Sequence, residues 1–252
     1  MIARRLHPFL DHPRPTGFAH RGGSLEAEEN TMPAFERAVA LGFTHVELDV
    51  HATRDGVVVV HHDDTLARMF GAPQRVDDLT WADLQTLRTA GGATIPRLSD
   101  LLGAFPTLNV NIETKSMAVV APLAQVITRA NALDRICIGS FQPERTAAAR
   151  TALGPGLCWS PAHAGVARLW LAGWGLPIGA GDFPVVQVPP RFRGLDVVTP
   201  RFVRAAHARG ILVQVWTVDD AAEMERLIAM GVDGIMTDRP SVLKQVLARH
   251  AA

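Results

Sequence analysis

Cysteine is scarce in this chain of 252 residues: Cys137 and Cys158 are the two present. Both sit in apolar, strand-like runs ("RICIGSF", "GLCWS"), so a disulfide framework is excluded and the thiols read as buried structural groups. An excess of one charge is also missing. Lys+Arg and Asp+Glu each number 25, for a formal net charge of zero. Overall charge therefore argues for neither nucleic acid nor an anionic membrane as partner, and says nothing of local patches. No uncharged apolar run reaches the ~18 residues of a membrane span. The opening "MIARRLHPFLDHPRP" has basic residues but no sustained apolar core, and no signal peptide is expected. With 48% hydrophobic residues the chain suits a well-buried globular enzyme, expected in the cytoplasm.

Strand-like and helix-like runs alternate along most of the length. Strands are predicted at "GFAHR" (17–21), "HVELDV" (45–50), "LNVNIE" (108–113) and "RICIGS" (135–140). "GLCWS" (156–160), "VVQV" (185–188), "ILVQVWTV" (211–218) and "GIMT" (234–237) follow. Helical periodicity fills 30–42, 117–132, 143–154, 200–210 and 220–231, and several of these runs close on a capping glycine. Eight strands, each leading towards a helix, is the count for an α/β chain folded as a (β/α)8 TIM-type barrel. A doubly wound open sheet is the competing architecture. Residues 51–107 break the rhythm: Asp55-Gly56 reads as a hairpin turn, and a polar helix is expected near "TWADLQTLRT". We read this stretch as a hairpin-containing insertion after the second strand, within one barrel domain spanning 1–252.

In a parallel barrel the active site forms at the C-terminal ends of the strands. There the sequence places His20-Arg21, then Glu47 and Asp49, then Glu113 and Lys115. Residues two apart on a strand share a face, so Glu47 pairs with Asp49, and Asn111 and Glu113 with Lys115. Three carboxylates from neighbouring strands would repel one another unless compensated. Salt bridges to barrel cations are one solution. A divalent cation is the other, and an all-oxygen shell suits Mg²⁺ or Ca²⁺. Arg21 and Lys115 beside it describe a phosphate site, and His20 with the hairpin's His62 can move protons near neutral pH. Together these are the parts for cleaving a phosphate ester.

The stretch from Ala19 to Arg68 carries HRG at 20–22, ENT at 29–31, ExD at 47–49, DG at 55–56 and HD at 62–63. "TIPRLSDLL", "NIETK", "WTVDD" and "GVDGIMTDRP" follow in order. The ordered set resembles the glycerophosphodiester phosphodiesterase family over nearly the whole chain. The resemblance implies hydrolysis of a small glycerophosphodiester to glycerol 3-phosphate and an alcohol. It implies Glu47, Asp49 and Glu113 as ligands of one divalent cation, His20 and His62 as the catalytic pair, and Arg21 and Lys115 as phosphate contacts. Glu29, in the ENT segment, would reach the metal or orient a ligand. The family's histidine directly precedes its aspartate, which selects His62 over His61; strand alternation also sets His62 on the face of Val58 and Val60, opposite His61. Asn30 is expected to cap the following helix, with Pro33 in its first turn. Glu28 stands where the family usually has proline, and Arg97 where a small hydroxyl is common.

His20 is expected to act as base and His62 as acid, with either water or a neighbouring glycerol hydroxyl as nucleophile. Trp216, in "WTV" at the end of the seventh strand, is a candidate pocket wall. Trp170 and Trp174, four apart on a helix, either pack or hold an acyl chain near the mouth, and the second case describes a lysophospholipase D-like enzyme. A non-catalytic phosphate or headgroup binder would have lost a ligand or a histidine, and none is missing.

Overall fold

In the computed structural model, residues 6–179 and 181–250 are described. Eleven strands form in chain order: β1 (Thr16–His20), β2 (His45–Ala52), β3 (Val58–Val60), β4 (Asn109–Thr114), β5 (Ile136–Gly139) and β6 (Cys158–Trp159), then β7 (Val185–Val188), β8 (Arg191–Phe192), β9 (Leu195–Asp196), β10 (Leu212–Val215) and β11 (Gly234–Thr237). Eight of them run parallel in the order β6-β5-β4-β2-β1-β11-β10-β7. The two end strands share no ladder, but the Gln187 amide at β7 donates to Ser160 Oγ just past β6 at 3.0 Å. The barrel is thus nearly closed, with helices between its strands, which settles the choice against an open sheet. No helix is long and apolar enough to cross a membrane among the described residues.

Alternation along the strands separates two environments. Val46, Leu48 and Val50 of β2 and Val110 and Ile112 of β4 point outward and pack, fully buried, on the helix layer. Phe35 of Met32–Ala40, Leu123 and Ile127 of Val120–Arg129, and Phe202 of Pro200–His207 meet them. Each such side chain removed from water contributes about 1.5–3 kcal/mol. Some helices start on side-chain caps, Thr31, Thr199 and Asp220 among them. Gly231, with φ at +89°, ends Ala221–Met230 in the left-handed conformation that glycine adopts without strain.

Inside, the barrel is filled in layers. Phe9 and Leu10, on a 3-10 turn before β1, plug the N-terminal end against Phe18, Cys137, Cys158 and Met236. His45 is buried in this floor, its ring edge-on to Phe9 at 5.2 Å and to Phe18 at 4.9 Å. Above it Gln187 donates to Asn111 at 2.8 Å and to Gln214 at 2.9 Å. Above that layer the chemistry begins.

Between β2 and β4 the Asp55-Gly56 turn forms as expected, and β3 pairs antiparallel with β2. Val59, Leu66, Val76, Leu84 and Ile95 make a small core of their own under this segment. The helix expected near "TWADLQTLRT" is a single turn, Trp81–Leu84, closed by the Thr80–Asp83 capping box. Of its side chains only Leu84 is fully buried, too little to extend it. Arg97 is accommodated by Asp100 at 2.8 Å and by the Trp81 ring. Glu28 accepts hydrogen bonds from Thr89 Oγ1 and the Gly91 amide, tying the loop after β1 to this segment.

Candidate active site

Strand register assembles the acids. β2 against β4 sets Glu47 opposite Asn111 and Asp49 opposite Glu113, while β1 sets His20 opposite Glu47. Glu47, Asp49 and Glu113 each offer an oxygen within 4.8 Å of the others. At that spacing each charged pair repels by about 3 kcal/mol at a protein-like dielectric. Burial, with the charges of Asp49 and Glu113 beside it, pushes the Glu47 carboxyl up to about 8. Burial acts on Asp49 too, but the Lys115 and Arg21 cations outweigh it and hold that carboxyl below its ordinary value. Lys115 Nζ lies 2.9 Å from Asp49 and 3.0 Å from Glu113.

Asn30 belongs to this group, which corrects its expected role. The helix cap is Thr31, whose Oγ1 accepts from the Ala34 amide. Asn30, at φ +56°, instead donates Nδ2 to Asp49 Oδ2 at 3.0 Å. Its Oδ1 is left buried without a donor. Three carboxylates form the oxygen-only donor set that a hard divalent cation takes, so the acidic cluster fits one.

Two imidazoles flank the acids, each held at Nδ1 by an aspartate. His20 Nδ1 meets Asp238 Oδ1 at 2.6 Å, and its Nε2 stands 3.5 Å from Glu47. Burial alone would lower the His20 pKa, yet Glu47 and Asp238 outweigh it and raise it to about 9. His62 Nδ1 meets Asp63 Oδ1 at 2.7 Å. Arg68 binds Asp63 at 2.7 Å and Glu29 at 2.7 Å, and Glu29 accepts from Arg21 at 3.1 Å. Glu29 therefore orients cations and does not join the acid cluster. The chain Arg21–Glu29–Arg68–Asp63–His62 links the loop after β1 to the hairpin. Asp238, at the end of β11, was legible by the strand-end rule; Arg68 offered no local signal.

His62 lines the cavity while His61 is buried with Nε2 on the Thr65 carbonyl. The alternation reading does not explain this. Val58 and Val60 face the helix-packed core, and His62 reaches the cavity because β3 ends at Val60 and the chain turns.

A cavity of about 680 Å³ opens over the site. One end is polar, lined by His20, Arg21, Glu47, His62, Glu113 and Lys115. The other is an apolar arm of Phe141, Val166, Trp170, Leu171, Phe192 and Leu195. Trp216 lines the cavity as expected and meets Phe141 edge-on at 5.6 Å, although β10 already ends at Val215. The tryptophan pair divides: Trp170 lines the arm, and Trp174 is 58% exposed against Arg201.

Comparison with known proteins gives one answer. The sequence profile of the glycerophosphoryl diester phosphodiesterase family matches residues 20–242. A Mycobacterium tuberculosis protein named "Probable glycerophosphodiester phosphodiesterase 2" is 41% identical over 95% of this chain and 93% of its own. The human Lysophospholipase D GDPD3 is 28% identical over 98% of this chain and 91% of its own. The crystal structure of the glycerophosphodiester phosphodiesterase of Agrobacterium tumefaciens superposes with a TM-score of 0.77 at 25% identity, covering 91% of this chain and 99% of that one.

Proposed function

We propose that this chain, which belongs to the glycerophosphoryl diester phosphodiesterase family and is a phosphoric diester hydrolase, cleaves glycerophosphodiesters to glycerol 3-phosphate and an alcohol with a divalent cation and two histidines. The observation that carries the reading is three carboxylates within 4.8 Å of one another beside two aspartate-held imidazoles in one cavity. Glu47, Asp49 and Glu113 would hold Mg²⁺ or Ca²⁺. Bound there, the ion supplies Lewis-acid stabilisation of the phosphate. Arg21 and Lys115 take the remaining phosphate charge, and Trp216 walls the substrate.

His20 acts as base. Asp238 fixes its Nδ1 and leaves Nε2 facing the cavity. Were Glu47 to ligate the ion, its charge would no longer serve to raise His20, and the imidazole would be freer to accept a proton. His62, held by Asp63, is the acid. The nucleophile's oxygen bonds to phosphorus as its proton passes to His20, and the phosphorus–alcohol bond breaks as the leaving oxygen takes the proton of His62. Water attacks directly, or a neighbouring glycerol hydroxyl does so first through a cyclic phosphate that water then opens. The reading also takes residues 51–107 as an insertion within one barrel domain. It sets the reaction in the cytoplasm, where free Cys137 and Cys158 suit a reducing compartment.

A second reading is favoured by the apolar arm. An acyl chain would lie along Trp170 and Phe192, giving lysophospholipase D-like cleavage of lysophospholipids, the activity for which the human relative is named. The test is to strip the protein with chelator and measure glycerol 3-phosphate from glycerophosphocholine and glycerophosphoethanolamine, with and without Mg²⁺ or Ca²⁺. Product that needs the ion is expected. Lysophosphatidylcholine is assayed beside them for lysophosphatidate and choline: these products alone would favour the second reading, and no product from any diester would refute both.

A further inference from the structure

Apart from Val39 on the helix Met32–Ala40, the large hydrophobic side chains left exposed among the described residues gather at one end of the barrel. Leu25 and Met117 stand in the loops leaving β1 and β4, and Phe141 follows β5. Phe192 and Leu195 lie on the β8–β9 ribbon, while Trp174, with Leu176 after it, stacks on Arg201 at the start of the next helix. Leu195 is 66% exposed. Scattered apolar residues need no explanation, but a cluster around one opening marks a surface that meets a partner.

Charge says which partner. The chain is neutral overall, yet residues 160–201 carry four arginines against two aspartates. Asp182 and Asp196 are paired with Arg150 and Arg191. Arg193 and Arg201 are exposed and have no carboxylate partner among the described residues. Each lies over an aromatic ring of the patch, Arg193 on Phe192 at 5.4 Å and Arg201 on Trp174 at 4.5 Å. Rings beside unpaired guanidinium groups match the boundary between acyl chains and phosphate headgroups. Continuity with the cavity points the same way. Phe141, Phe192 and Leu195 are exposed and also line the apolar arm. A protein seated on them would seal that opening, whereas a lipid surface would leave it facing its substrates.

We propose that this end of the barrel docks on an anionic phospholipid bilayer, with Trp174, Leu176, Phe192 and Leu195 among the headgroups and Arg193 and Arg201 on phosphates. Docking is measured without turnover, so its failure and that of the hydrolase reading are separable. The experiment is co-sedimentation of the full chain with vesicles of phosphatidylcholine, with and without phosphatidylglycerol, together with light scattering of the free protein. Two double variants accompany the wild type: Trp174→Ser with Leu176→Ser, and Arg193→Glu with Arg201→Glu. The wild type is expected to sediment with phosphatidylglycerol vesicles and to be released by salt. At roughly fivefold per arginine, the charge variant should bind at least about tenfold more weakly, while its turnover of soluble glycerophosphocholine stays unchanged. The apolar variant should lose binding as well. Wild-type protein left in the supernatant with every vesicle would overturn the proposal, as would binding that neither variant weakens. A wild-type dimer that the apolar variant dissociates would overturn it too, because a second copy would then cover the face.

Discussion

His20 and His62 differ in surroundings but share one device, an aspartate on Nδ1 that leaves Nε2 for chemistry. Replacing either by Ala should lower kcat by roughly 10²–10⁴, the scale for an acid–base group. The check is steady-state turnover of glycerophosphocholine, and a His62→Ala enzyme with wild-type kcat would remove that assignment. Residues whose role follows from strand period were readable in advance: Glu47, Asp49 and Glu113 face inward because their neighbours face out. Asn30 was not, because capping is local and its partner Asp49 is reached only through the fold. The next residue, Thr31, is also a capping type, and it is the one that caps. The His-Asp pair points to His62, which lines the cavity, while alternation fails where β3 stops.

At the scale of elements, the segment between β2 and β4 delivers His62 and fastens it. Arg68 of Ala67–Phe70 grips Asp63 and Glu29 together, so one guanidinium positions the proposed acid His62 and, through Glu29, the proposed phosphate contact Arg21. Arg68→Ala should cost roughly tenfold to a hundredfold in kcat, as loss of an outer-shell partner does. Arg68→Lys should recover only part, since lysine keeps the charge but loses the fork. Comparing kcat and KM for the two variants checks this, and an Ala variant with unchanged kcat would contradict it. Strand positions were legible to within one to three residues because outward-facing apolar residues mark them; the seventh, read as 211–218, ends at Val215. The single turn at Trp81–Leu84 was not, because length there depends on how much the turn can bury.

The floor of the barrel makes a prediction about pH. Burial pushes His45 down to about 4, against the opposing hydrogen bond to the Phe9 carbonyl. The unfolded chain binds this proton near the ordinary value of 6.5. Between the two values the unfolded state holds a proton that the folded state lacks. Stability from this group is therefore full above about 6.5 and falls by about 3 kcal/mol as pH drops towards 4. Urea unfolding at a series of pH values should show that slope, and His45→Gln should flatten it. Equal slopes in the two proteins would contradict the assignment. Nothing in the sequence marked the floor, since Phe9 and Leu10 lie in no strand and act by closing an end that only the assembled barrel has.

On the scale of the whole molecule, the barrel keeps structural and chemical burdens apart. Apolar faces point outward to the helices, the interior closes on a floor, and charge is concentrated at the C-terminal ends of the strands. Glu47, Asp49 and Glu113 together are proposed to hold a divalent cation, and the histidines are not. Calorimetric titration of Mg²⁺ and Ca²⁺ into the stripped protein separates the two. One ion per chain is expected for the wild type, retained in His62→Ala and lost in Glu47→Gln and Glu113→Gln. Wild-type protein that binds no ion, or Glu47→Gln and Glu113→Gln proteins that bind it undiminished, would contradict it.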